Sequence, residues 1–84
     1  MQVEQLYKIF RQYPSVQTDS RQVRPGDLFF ALKGGNFNGN AYAKEALEKG
    51  AAFAVVDEPA YAETERTLLV NDGLQTLQQL ALYH

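Results

Sequence analysis

The chain contains no cysteine. That excludes a disulfide framework and any thiolate metal site, and it suits a reducing, cytoplasmic setting. Its single histidine is His84, the last residue, so neither a histidine-centred triad nor a histidine metal site is expected. No apolar run approaches the roughly 18 residues of a membrane span. The opening "MQVEQLYKIF" mixes glutamine, acid and lysine with its apolar residues, unlike a signal peptide. Neither a membrane nor a metal is therefore expected as a partner. Net charge is only −2, too little to make nucleic acid the default partner. At 84 residues there is room for one domain with a small core.

What charge there is lies unevenly. Residues 1–49 hold seven Lys/Arg against five Asp/Glu, a balance of +2, while residues 50–84 hold one against five, a balance of −4. The stretch "TDSRQVRPGDLFFALKGGNFNGN", Thr18 to Asn40, contributes Arg21, Arg24 and Lys33 against Asp19 and Asp27. A mildly cationic pair of polar loops suits a small anionic ligand better than a polyanion.

Val3, Leu6, Tyr7 and Phe10 follow helical spacing, so the chain opens with an amphipathic helix that Tyr13-Pro14 ends. Val16 to Thr18 reads as a short strand. "RPGD" at 24–27 carries proline and glycine at the centre of a type II turn. Leu28 to Lys33 reads as a strand buried on both faces. "GGNFNGN" is a loop, Asn40 is the N-cap of a helix from Ala41 to Lys49, and Gly50 is its C′ residue. Ala43, Ala46 and Leu47 form that helix's inward face. Residues 51–57 and 67–70 read as strands, with a connection and one helical turn between them. Asp57-Glu58 reads as a strand-end turn. Asp72 and Gln75 have capping-box spacing, and Leu74, Leu77, Leu80 and Ala81 carry an apolar stripe to the end. The fold class is a small α/β sandwich, with a mixed or parallel sheet of about four strands flanked by helices. The last helix reaches His84 without a stop signal, which leads to the expectation of a chain cut from something longer.

The residues assemble no self-sufficient catalytic site. "GGNFNGN" lacks the Lys-Ser/Thr of a phosphate-gripping loop, and the tyrosines are scattered, with no aromatic platform for bases. A binding site is easier to argue. Strand ends in an open α/β sheet collect ligands. If the first two strands are neighbours, the polar shoulders around Leu28–Leu32 converge. Thr18 and Ser20 would offer hydroxyls, Arg21 a fork of donors, and Asn36, Asn38 and Asn40 amides. Gly34, Gly35 and Gly39 would admit a ligand to the backbone, and the following helix N-terminus would favour an anion. The alternative for Asp19 and Ser20 is a side-chain-capped turn, and for Asn38-Gly39 a left-handed turn pair.

In order and spacing, Asp19-Ser20-Arg21, Pro25-Gly26-Asp27, "LFFALKGG", the short polar loop and the Ala-rich helix ending in Lys49-Gly50-Ala51 resemble the N-terminal domain of the Mur ligases, which extend the peptidoglycan stem peptide. The resemblance covers essentially the whole chain. Asn38-Gly39-Asn40 is similar to the branch that adds D-Ala-D-Ala to the UDP-MurNAc-tripeptide. The branch adding the third amino acid more often has Asp-Gly-His there and is the alternative, as is a non-catalytic interaction module that docks its final helix on a partner.

The resemblance implies a domain that holds the UDP-MurNAc end of a UDP-MurNAc-peptide. By motif, Thr18 and Ser20 would contact uridine or diphosphate, and Asp19 and Arg21 would shape that turn. Gly35, Asn36 and Phe37 would line the loop over the nucleotide, with Asn38 and Asn40 as further contacts. The family's ATP-binding loop, Gly-Thr-Asn-Gly-Lys-Thr, is not in this sequence. ATP and Mg2+ are thus implied for a full-length enzyme whose other ligase domains would act in cis, with no cofactor and no catalysis expected of these residues alone.

Overall fold

Leu28, Phe29 and Phe30 are consecutive and all buried, which requires a strand covered on both sides. The computed structural model, which describes residues 3–35 and 37–83 apart from the side chains of Val3 and Tyr83, supplies both covers. Helix α1 is Val3–Gln12, β1 Val16–Gln17 and β2 Leu28–Phe30. A hairpin of β3, Lys33–Gly34, and β4, Phe37–Asn38, follows. A 3-10 turn, Gly39–Tyr42, leads into α2, Ala43–Glu48, and then come β5, Phe53–Val56, β6, Thr67–Leu69, and α3, Gly73–Tyr83. The main sheet runs β1-β2-β5-β6 with every pairing parallel. The expected four-stranded α/β architecture is therefore present in its parallel form.

Alternation along the strands divides the core in two. Phe29, Ala31, Ala54 and Val56 face α2, where Ala43 and Ala46 allow close helix–sheet contact, as their small size suggested. Leu28, Phe30, Val55 and Leu68 face α1 and α3 and pack on Leu6 and Leu80. Each such large side chain contributes about 1.5–3 kcal/mol by leaving water.

The local stop and start signals act as read. Gly26 has φ 88°, and the Asp27 N–H donates to the Arg24 carbonyl at 3.0 Å, as a type II turn requires. Gly50, at φ 108°, ends α2 in a Schellman motif: its N–H donates to Leu47 and that of Ala51 to Ala46. Asp72 caps α3 by accepting the Gln75 N–H at 2.9 Å.

Three expectations need correction. The strand expected over 28–33 ends at Phe30, and Lys33 instead starts a hairpin, so "GGNFNGN" is partly strand. Asn40 does not cap α2; Asn38 caps the preceding 3-10 turn by accepting the Asn40 N–H at 3.0 Å. Asn38-Gly39 is not a left-handed pair: Asn38 has φ −127° and Gly39 no positive φ, whereas Gly35 is left-handed at φ 52°.

Candidate functional site

A parallel sheet sends the C-terminal ends of all its strands to one edge. Because β1 and β2 are hydrogen-bonded neighbours, the Thr18–Arg21 turn and the β3–β4 hairpin meet there. Between them lies a cleft of ≈ 510 Å³, lined by Thr18, Asp19, Ser20, Arg21, Phe37 and Tyr42.

The first wall is a 3-10 turn over Ser20–Gln22 capped by Asp19. Asp19 accepts the Arg21 N–H at 2.9 Å and grips the guanidinium with both oxygens, at 3.1 and 3.0 Å. The side-chain-capped turn is thus real for Asp19. The Arg21 hydrogen bonds hold the Asp19 carboxyl below its usual range, and Asp19 in turn raises the Arg21 guanidinium. The Thr18 and Asp19 N–H groups both donate to the Gln17 amide oxygen at 3.0 Å. Ser20 is buried, its hydroxyl 3.4 Å from a Glu45 carboxylate oxygen.

The second wall is aromatic. Phe37 stacks on Tyr42, ring centroids 5.5 Å apart and planes 13° from parallel. Both rings stay open to solvent, Phe37 at 53% and Tyr42 at 41% exposure. The scattered tyrosines thus do yield an aromatic surface: the hairpin and the 3-10 turn bring residues 37 and 42 face to face. Tyr42 is the cleft residue that the motif reading missed.

Beside Phe37 along β4, Asn38 serves a different network, as alternation in a strand allows. Its amide donates to Glu58 at 2.7 Å, and its carbonyl oxygen accepts the Asn40 amide at 2.9 Å. Asn40 is fully buried; it donates to Asp57 Oδ1 at 2.9 Å and accepts the Asp57 N–H at 2.9 Å. Lys33 lies 3.4 Å from both Asp57 and Glu58. Asp57 Oδ2 accepts the Gly73 N–H at 3.0 Å, tying α3 to the same knot. Burial pushes the Asp57 carboxyl up, but the Gly73 N–H, Asn40 and Lys33 outweigh it and hold the group below its usual range. Asp57-Glu58 is therefore the acidic half of a polar lock that joins the cationic and acidic parts of the chain.

The sequence-predicted site residues thus divide. Thr18, Asp19, Ser20, Arg21 and Phe37 line the cleft. Gly35 turns the hairpin. Asn38 and Asn40 are engaged in the lock, and Asn36 lies outside the described residues. Gly39 does not open the backbone to a ligand: a Cβ there would sit 2.7 Å from both the N and the O of Leu32. The cations expected to draw an anion are already paired. Arg21 is held by Asp19, Lys33 by Asp57 and Glu58, and Arg24 Nε lies 4.0 Å from Asp27.

Residues 12–84 match the family described as "Mur ligase family, catalytic domain". The chain belongs to the Mur ligase family. A UDP-N-acetylmuramoyl-tripeptide–D-alanyl-D-alanine ligase of Rickettsia prowazekii is 39% identical over 69 residues, 81% of this chain and 15% of that protein. A UDP-N-acetylmuramoyl-L-alanyl-D-glutamate–2,6-diaminopimelate ligase of Rickettsia montanensis is 35% identical over 76 residues, 88% of this chain and 16% of that protein. Among solved structures, a MurF of Acinetobacter baumannii superposes with TM-score 0.75 at 29% identity, over 96% of this chain and 20% of that one. The MurF of Thermotoga maritima in complex with ADP superposes with TM-score 0.73 at 34% identity, over 80% of this chain and 16% of that one. The chain thus spans about a sixth of the length of these relatives.

Mg-ATP does not fit the groups described here. The glycine-rich hairpin has no Lys-Ser/Thr, and among the described residues no three His, Asp or Glu side chains converge to hold a metal. No helix among them is long and apolar enough to cross a membrane.

Proposed function

We propose that this domain anchors the UDP-MurNAc end of a UDP-MurNAc-tripeptide for the ATP-dependent addition of D-Ala-D-Ala, the MurF-type reaction. The observation that carries the reading is the cleft itself: Thr18–Arg21 and the β3–β4 hairpin, separated in sequence, form facing walls at the C-terminal edge of the sheet. Likeness to ligases whose names specify the tripeptide and D-Ala-D-Ala supports the choice of substrate. Thr18, Ser20, Arg21 and Phe37 touch the nucleotide-sugar, with Gly35 at the turn beside it; Asn36 is a further proposed contact. Asp19 holds the Arg21 fork, while Asn38 and Asn40 hold the hairpin in place. Activation of the tripeptide carboxylate by ATP and attack by the dipeptide amine belong to other parts of the ligase.

The second reading is the same anchoring role in a ligase that adds the third amino acid. The 35% identity to the diaminopimelate-adding enzyme favours it. Both readings share the UDP-MurNAc end and differ only in the peptide and the incoming group.

Amide NMR titration of the chain with UDP and with UDP-MurNAc tests the anchor. Shifts are expected at 18–21 and 34–40, while 59–66 stays still. Shifts centred instead on α3 would favour the interaction-module alternative.

A further inference from the structure

We propose that Tyr42, with Phe37, forms a stacking platform for the pyrimidine base, and that this platform, rather than charge, supplies most of the cleft's affinity. The inference rests on the reading that the cleft takes a UDP-sugar, and it adds to that reading a residue and an order of importance. Two observations carry it.

The first is the aromatic pair. Two large rings that are exposed together, in contact and inside a cleft form a patch rather than scattered exposure. Among the described residues, Phe37 and Tyr42 are the exposed large hydrophobics that stack on each other. They do so inside the cleft, opposite the Thr18–Arg21 turn. The rings stack nearly parallel and each still keeps a large share of its surface in water. A planar heteroaromatic base matches such a surface, and stacking on it does not depend on any charge.

The second is the state of the cations. A diphosphate would be drawn by free positive charge, but Arg21, Lys33 and Lys49 each already lie beside a carboxylate. The Thr18 and Asp19 N–H groups are held by Gln17. A phosphate would share these cations with the carboxylates that already hold them, whereas a base stacking on Phe37 and Tyr42 displaces only water.

The test uses the 84-residue chain and NMR titration with UDP, following the uracil H5 and H6 protons together with the protein amides. Inorganic diphosphate serves as the base-free probe. Ring currents should move H5 and H6 upfield on binding. Tyr42→Leu, which keeps apolar bulk without a π face, should weaken UDP by about tenfold. Tyr42→Phe should keep the parent affinity within about twofold, and diphosphate should bind far more weakly than UDP to every form. The uracil shifts on the parent chain report on stacking even if Tyr42→Leu fails to fold. Uracil protons that do not move upfield while amides at 18–21 respond would overturn the platform and leave the UDP reading standing. So would equal UDP affinity for Tyr42→Leu and the parent. If no amide of the cleft responds to UDP, the UDP reading fails and the platform fails with it.

Discussion

Asn40 and Asp57 hold each other twice: the Asn40 amide donates to Asp57 Oδ1 and the Asp57 N–H donates to Asn40 Oδ1, both at 2.9 Å. The pair fastens the segment after the hairpin to the end of a central strand with no exposed atom on the asparagine. Asn40→Ala should therefore destabilise the fold by about 1–3 kcal/mol, because it strands a buried N–H and removes a carboxylate partner. Lys33→Ala, at a half-exposed ion pair, should cost under about 1 kcal/mol. Urea unfolding of both variants checks the order; equal midpoints would show that Asn40 is not the keystone of the lock.

Asp57 carries a pH dependence whose sign follows from its lowered pKa. A carboxyl with a folded pKa below its unfolded value binds fewer protons when folded. Its contribution to stability is thus fully present above the unfolded pKa of roughly 4 and is lost as pH falls through the folded value. Stability measured by urea unfolding between neutral pH and about pH 2 should decline more steeply for the parent than for Asp57→Asn. Parallel declines would remove Asp57 from the acid response.

Two glycines of the hairpin region should behave oppositely. A Cβ on Gly39 would lie 2.7 Å from Leu32 backbone atoms, whereas a Cβ on Gly34 would meet nothing within 4 Å. Gly39→Ala should lower stability by about 1–3 kcal/mol through overpacking against a backbone that cannot yield. Gly34→Ala should be close to neutral. Thermal melts of the two variants decide it, and a tolerated Gly39→Ala would mean that the 3-10 turn can move off Leu32.

Ser20 sits where the turn meets α2, with only a long contact to Glu45 to lose. Under the proposed function, Ser20→Ala should weaken UDP binding by about 0.5–1.5 kcal/mol while leaving the melting temperature nearly unchanged. Unchanged affinity would remove the hydroxyl from the site, and a large drop in melting temperature would assign it to the fold.

Division of labour in the ligase gives a last expectation. The cleft is lined only by the Thr18–Arg21 turn, Phe37 and Tyr42, so the chain should bind UDP-MurNAc-tripeptide no more tightly than UDP-MurNAc, as calorimetric titration of both can measure. A gain of tenfold, about 1.4 kcal/mol, would show that this domain reads the peptide as well.

The sequence by itself determined the elements and most of their ends. Pro14, the Pro25-Gly26 turn, Gly50 after α2 and Asp72 before α3 act through their own backbone or their nearest neighbours, so their signals are local and legible. The unbroken apolar run at Leu28–Ala31 likewise required cover on both faces. The tertiary structure alone decided who meets whom at the sheet edge. Asn40 finds Asp57, 17 residues away, and Asn38 finds Glu58, 20 away, only because β2 and β5 pair in parallel and end together. That pairing turned an expected helix cap into a buried lock. The fold of the hairpin likewise turned scattered aromatics into the Phe37–Tyr42 stack, and carboxylates from the turn and the end of β5 paired with Arg21 and Lys33, cations that looked free in the sequence. No local rule reports such contacts, because side chains many residues apart acquire partners only when the backbone has brought the strand ends to one edge.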